Sequence, residues 1–378
     1  MKTNVRIFSS SKNLKRSVFP QTEMRAKYSS RERCWRTVKR EEVDYIPINI
    51  WIDSPEPLRS LMNHLGLEDT EKLYEFLKID YRGNVGIDAI GIGLKGGFKE
   101  ESFKDSRGRV LRRNQWGILS MVSGNELTSF YVDHPLKHME VKDYPFPEIR
   151  EEDFEKVEKF RRRYEDYCVV GFTLQAFETA CALFGYNEIF KLMVSEPSKV
   201  EYVLDRLFEL SCKQASLLVE AGVDQVYNGD DVGAQTTMLI SPAQWRRFLK
   251  PRYKRLAEVI HKGGAFFHFH SDGWIEPIIQ DLVEIGVDVL EPLQPESMSI
   301  AKIKEKYGEK LSFEGGIGVQ TLPFKNRTEI EQEVKEAIRI LGPTGYTLRP
   351  SHTILRNTPI ENILTLYEAA NNYRVALK

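Results

Sequence analysis

From Tyr167 onward the chain keeps repeating one pattern, a short apolar run and then an amphipathic helical segment. The runs are YCVVGFTL, VDQVYNGDD, AFFHFHSDG, VDVLEPL, LSFEGG and YTLRPSH. The first is followed by a helical region of about 45 residues ending near Ala221. Short apolar strands, each followed by a helix that covers it, mean a parallel sheet buried on both faces. Six such units, with at least one more upstream at VDYIPINIW (43–51), suit a (β/α)8 barrel better than an open sheet. No GxGxxG follows any strand, as a dinucleotide-binding open sheet would require. The fold class expected is therefore α/β, a single (β/α)8 TIM barrel.

Local signals add detail. Ser29 stands three residues before Glu32, a capping-box spacing that predicts a helical lead-in. DTEKLYEFLKI (69–79) reads as a helix, and Ser241 with Pro242 reads as a helix start. Glycines at 83, 86, 91, 93, 96, 97, 108 and 117 mark a hairpin-rich insertion over about 80–135. Residues 1–27 carry seven Lys/Arg against one Glu and no long apolar segment. They are expected to be a disordered tail, with Met24 a possible start, and residues 28–378 to form the barrel domain.

Lys and Arg total 54 and Asp and Glu 55, so no global charge calls for nucleic acid. No apolar run reaches the roughly 20 residues of a membrane span. The four scattered cysteines form no CxxC pair, which suits a reducing, cytoplasmic setting.

In a (β/α)8 barrel, chemistry sits at the C-terminal ends of the strands. Those ends supply Glu178, Asp230 and Asp231, His270 and Asp272, Glu291, Glu314 and His352. Positions 268, 270 and 272 share one strand face, with Phe267 and Phe269 on the other. If the phenylalanines pack under the helices, the polar trio faces the barrel interior. It then forms either a metal site or a hydrogen-bonded His–Asp cluster. The pair Asp230–Asp231 is suited to holding a substrate donor or serving as a base, or else to capping a turn. SFEGGIG (312–318) lacks the GK[ST] of a P-loop and reads as a tight turn.

Several stretches resemble the uroporphyrinogen decarboxylase superfamily: SSRERCWRTVKREEVDYIPI, VDHPLKHMEVKDYPFPEI, NGDDVGAQTTMLISPAQWRRFLKPRYKRL, YGEKLSFEGGIGVQTLP and NTPIENI. The likeness covers nearly all of 28–376. True decarboxylases of this superfamily carry an RQAGR segment for substrate carboxylates and a GFxGxPxT segment. Here those places read WIDSPEPLRS and GFTLQAFETA. The chain is thus more similar to the branch of zinc-dependent methyltransferases that work with corrinoid proteins. That branch has HxCG at one strand end and a cysteine before TPxEN. HSDG (270–273) and the SHT preceding NTPIEN fall on those motifs, so the resemblance implies a metal held by His270, Asp272 and His352. It makes His268 a neighbour behind the ligands, and Glu178, Asp230, Asp231 and Glu314 the wall of a substrate pocket.

Two histidines and one aspartate leave Zn²⁺, or another divalent ion, with about one positive charge, whereas one histidine and two thiolates neutralise it. Such an ion favours demethylation of a donor over methylation of a thiol. The activity implied is methyl transfer from a small methylated donor, such as a methyl ether, to a corrinoid on a partner protein. The alternatives are a decarboxylase of porphyrin biosynthesis and a non-catalytic barrel that only binds.

Overall fold

The computed structural model describes residues 26–52, 55–86, 92–122 and 129–375. The tail expected over 1–27 lies, except for its last two residues, outside them. A curled parallel sheet of seven strands forms the centre. In chain order these are β1 (Tyr81–Gly86), β2 (Cys168–Phe172), β3 (Gln225–Gly229), β4 (Phe266–His270), β5 (Val289–Leu293), β6 (Ser312–Ile317) and β7 (Tyr346–Pro350). Spatial order follows chain order, so each strand pairs in parallel with the next. From β2 onward each crossover contains helix, as parallel pairing demands.

The insertion begins later than the glycine pattern suggests. YRGNVG (81–86) pairs with Cys168–Phe172 as the first strand of the main sheet. The hairpins proper form an antiparallel sheet of four strands, Glu101–Lys104, Val110–Arg113, Leu119–Val122 and Ser129–Asp133. The helical region after β2 is three helices, Ala176–Phe184, Tyr186–Ser195 and Pro197–Glu220. Gly185, at φ +88°, turns the chain between the first two. SFEGGI is not a turn but β6 itself, with Gly315 at φ +123° inside the strand. A Cβ on Gly315 would stand 2.8 Å from Leu293 N, so β5 and β6 approach too closely there for a side chain.

The segment expected as the strand 43–51 lies along β7 and reaches β1. Leu348 donates its N–H to Pro47 O (2.9 Å), Asn49 to Leu348 O (3.0 Å) and Asp80 to Ile48 O (2.9 Å). Pro47 has no N–H to give, and the pairing registers as an isolated parallel bridge between Ile48 and Leu348. The lead-in helix Ser30–Val38 begins where Ser29 accepts from Glu32 N (3.2 Å). Its Arg33 bonds Asp80 (2.6 Å) and Asp44 (2.8 Å), which ties it to the residue before β1.

Phe267 and Phe269 are fully buried, and Tyr253 of the helix Lys250–Lys262 meets Phe269 edge-on, with ring centres 5.2 Å apart. This leaves His268 and His270 on the interior side of β4. In register, His270 faces Gly229 on β3 and Glu291 on β5. A Cβ at Gly229 would come within 2.3 Å of His270 Cβ and 2.5 Å of its carbonyl oxygen. We therefore expect Gly229→Ala to cost about 1–3 kcal/mol in denaturant unfolding, as overpacked cores do. An unchanged midpoint would show that the strands yield freely there.

Candidate functional site

β4 ends at His270, and the chain then turns through Ser271, Asp272 and Gly273. Gly273 adopts φ +81°, and a Cβ on it would stand 2.7 Å from Ala234 O. The turn therefore packs tightly on the loop after β3, and Asp272 N–H donates to Asp231 Oδ1 (2.8 Å). Asp231, His270 and Asp272 each place one ligand-type atom within 4.8 Å of the others. His352, from the loop after β7, brings Nε2 to 3.3 Å from Asp272 Oδ2. The structure thus gathers His270, Asp272 and His352 in one place and adds Asp231, which the sequence reading had put in the pocket wall.

The orientation of His270 comes from Glu291. Glu291 Oε2 accepts from His270 Nδ1 at 2.5 Å, and this leaves Nε2 directed to Asp231 Oδ1 at 3.4 Å. A carboxylate on one imidazole nitrogen with the other free for a cation is the usual surrounding of a metal-binding histidine. Asp272 Oδ1 is buried with no hydrogen-bond partner. A carboxylate oxygen left so is costly unless a cation or water satisfies it. Both features fit a divalent ion bound by nitrogen and oxygen donors.

Beneath the cluster lies a buried charge network. Arg349 reaches Glu291 Oε1 (2.8 Å) and Glu314 Oε1 (2.6 Å), and Asn49 Nδ2 donates to the same Glu314 oxygen (2.8 Å). Trp51 lies across the guanidinium, 4.4 Å from its ring centre, and stacks on His352 with ring centres 5.0 Å apart. A cavity of about 770 Å³ opens beside the cluster, lined among others by Trp51, Tyr131, Glu178, Asp231, His270 and His352. A second cavity of about 160 Å³ lies one layer deeper and shares Trp51, Phe172 and Tyr227 with it.

The four residues expected to shape a substrate pocket separate into two pairs. Glu178 and Asp231 line the larger cavity. Asp230 and Glu314 are fully buried and are not among the residues lining either cavity. Asp230 accepts from the Tyr253 hydroxyl and from Glu178 N (2.9 Å), so it seats the start of the helix Ala176–Phe184. His268 donates Nδ1–H to Gln225 Oε1 (2.9 Å) and has no bond to His270, whose partner is Glu291.

Burial and the charges of Asp230 and Asp231 push the Glu178 carboxyl up to about 8. Burial lifts Asp230 to about 7, against the pull of Tyr253 and two backbone N–H groups. Burial also raises Asp272, to about 6, although His270 and His352 oppose it. Burial works the same way on Glu291, but Arg349 and His270 more than offset it and hold the carboxyl at about 2. For His270, burial favours the neutral ring, but Glu291 and Asp231 overcome it and raise the imidazole well above its ordinary value.

Trp51, Arg349 and the Asp231–Asp272 contact escaped the sequence reading. Glu291 was visible as a strand-end carboxylate, and only its register opposite His270 reveals what it does.

The fold class is thus α/β with a curled parallel sheet, and acidic and histidine side chains cluster at its C-terminal edge. The sequence narrows this further. Residues 130–373, more than half of the chain, match the family model for uroporphyrinogen decarboxylase (URO-D). The chain belongs to that family. It is 24% identical to the uroporphyrinogen decarboxylase of Trichodesmium erythraeum over 187 residues, 49% of this chain and 51% of that protein. The counterpart in Microcystis aeruginosa is 22% identical over 50% of this chain and 52% of its own length. The chain thus spans about half the length of these relatives. Among solved structures, a methyltransferase from Methanosarcina mazei shares the fold with a TM-score of 0.64 and 21% identity, over 92% of this chain and 99% of that one.

The raised carboxylates fix the sign of a pH effect. Glu178, Asp230 and Asp272 keep protons in the folded chain that they lose when unfolded, and His270 acts in the same direction. The folded state therefore binds more protons, and stability falls as pH rises. In chelator-treated protein the unfolding midpoint should fall between pH 4.5 and about 8, and Glu178→Gln should flatten the upper part of that slope. Thermal melts across the range check this, and a midpoint that rises with pH would contradict it.

Proposed function

We propose that the protein is a metal-dependent methyltransferase. It moves a methyl group from a small methylated donor, such as a methyl ether, to a corrinoid on a partner protein. The scaffold in this reading is a closed (β/α)8 barrel, with segment 46–50 as its eighth stave. The observation that carries the proposal is the Asp231–His270–Asp272 cluster beside the larger cavity, with an orphaned carboxylate oxygen on Asp272. The shared fold with the Methanosarcina mazei methyltransferase supports it.

Asp231, His270 Nε2 and Asp272 would hold the metal, with His352 as a fourth donor. Nitrogen and oxygen ligands suit Zn²⁺ or another divalent ion. Such an ion, when bound, supplies Lewis-acid polarisation of the oxygen or nitrogen that the methyl group leaves. Glu291 holds His270 in one orientation through Nδ1–H. Glu178, protonated up to about 8 and lining the same cavity, keeps a proton within reach of the departing atom. In this reading the corrinoid protein approaches the open end of that cavity. No described helix is long and apolar enough to cross a membrane, and the proposed setting is the cytoplasm.

The family's decarboxylases make the other reading worth stating. Porphyrinogen carboxylates need cationic partners. Among the described residues lining the two cavities, Arg349 is the one Lys or Arg, and it is held by Glu291 and Glu314. This weighs for the methyltransferase.

Purified protein should contain one divalent ion per chain by elemental analysis, and Asp272→Ala should lose it. Glu291→Gln, which loosens His270, should weaken metal affinity by about 10–100-fold. The metal-loaded protein should form methylcobalamin from one member of a panel of methylated donors. Absence of metal, or conversion of uroporphyrinogen to coproporphyrinogen, would overturn the proposal.

A further inference from the structure

The deeper cavity has features that the cluster above it does not explain. Its walls include five aromatic rings, Trp51, Tyr74, Tyr81, Phe172 and Tyr227. Its volume of about 160 Å³ is the share of roughly five water molecules in the liquid. The polar atom of interest belongs to His268, which lines the cavity and is 1% exposed. Gln225 Oε1 can only accept, so the bond at His268 Nδ1 makes that nitrogen the donor. Nε2 then carries the lone pair, and it is buried with no hydrogen-bond partner. A buried acceptor of this kind costs free energy until an O–H or N–H reaches it.

The charges around the wall weigh against an acid as occupant, although Arg349 Nε has no hydrogen-bond partner of its own. Arg349 is the cation lining the cavity among the described residues, and Glu291 and Glu314 already engage it. A carboxylate entering there would meet two buried glutamates that share one guanidinium. A free cation would meet the guanidinium itself. Aromatic walls favour a flat, uncharged body that can stack or meet them edge-on.

Position supplies the link to the chemistry. His268 is two residues before His270 on the same face of β4, so it sits roughly 7 Å deeper along the strand. We propose that the deeper cavity is the tail pocket of the substrate: it takes an uncharged, flat group carrying one O–H or N–H, which donates to His268 Nε2. This deepens the methyltransferase reading and rests on it, because the methylated end of the same molecule would lie at the Asp231–His270–Asp272 cluster. His268 then selects among donors by the unreactive end of the molecule.

Calorimetric titration of the full chain with three probes tests this: phenol, toluene and benzoate. Phenol should bind once per chain, and His268→Leu should weaken it about tenfold while changing toluene little. Val170→Phe, which fills the cavity from β2, should abolish both, and benzoate should not bind. Lack of phenol binding to the wild type, phenol binding insensitive to His268→Leu, or benzoate binding more tightly than phenol would each overturn the tail pocket. Should Val170→Phe fail to fold, His268→Leu alone decides. Metal content measured on the same samples separates the two readings. A metal-free wild type defeats the methyltransferase but leaves the phenol result to decide the pocket. A metal-loaded wild type that ignores phenol defeats only the pocket.

Discussion

The site depends on a line of buried charges, Glu314–Arg349–Glu291–His270, that crosses from β6 and β7 to β5 and β4. Each bond in it spans 2.5–2.8 Å, and both glutamates are fully buried. An ion taken from water into a protein interior costs several kcal/mol, which close opposite charges offset; in this line Glu314 Oε2 and Arg349 Nε still have no hydrogen-bond partner. Here the outcome is positional. Four strands are joined side chain to side chain, and Asn49 brings the segment between β7 and β1 into the same network. His270 can hold only one orientation because its lower nitrogen is already engaged.

The same environment sorts carboxylates by function. Glu291, beside Arg349 and His270, is ionised down to about 2, while Glu178, buried beside other acids, retains its proton up to about 8. Two glutamates with the same intrinsic chemistry thus become a fixed counter-ion and a proton store. Such separation of titrating groups is how one cavity supplies both an anchor and an acid at neutral pH.

Much of the fold was legible because β2–β7 are buried on both faces and therefore appear as short apolar runs. β1 was not, because YRGNVG contains two glycines, an arginine and an asparagine. Its membership of the sheet rests on backbone pairing with Cys168–Phe172. Pro47 lies in a segment that reads as a strand but pairs only in part. In the site, His270, Asp272 and His352 were legible as polar residues at strand ends. Asp231 was legible only as one of two adjacent aspartates. Consecutive residues leaving a strand point in different directions, and here Asp231 meets the cluster while Asp230 turns toward Tyr253.

The sequence by itself determined the alternation of strand and helix, the burial of Phe267 and Phe269 opposite the histidines, and the family to which the chain is similar. The first two follow from periodicity and residue type, which are local, and the family likeness rests on motifs spread along the chain. Tertiary structure alone decided which carboxylate stands beside which histidine. Parallel strands have no short turn to set their register, so the contact of Glu291 with His270, 21 residues apart, exists only once the sheet has formed. The charges that push Glu178 up and pull Glu291 down likewise come from residues far along the chain, and only packing brings them near.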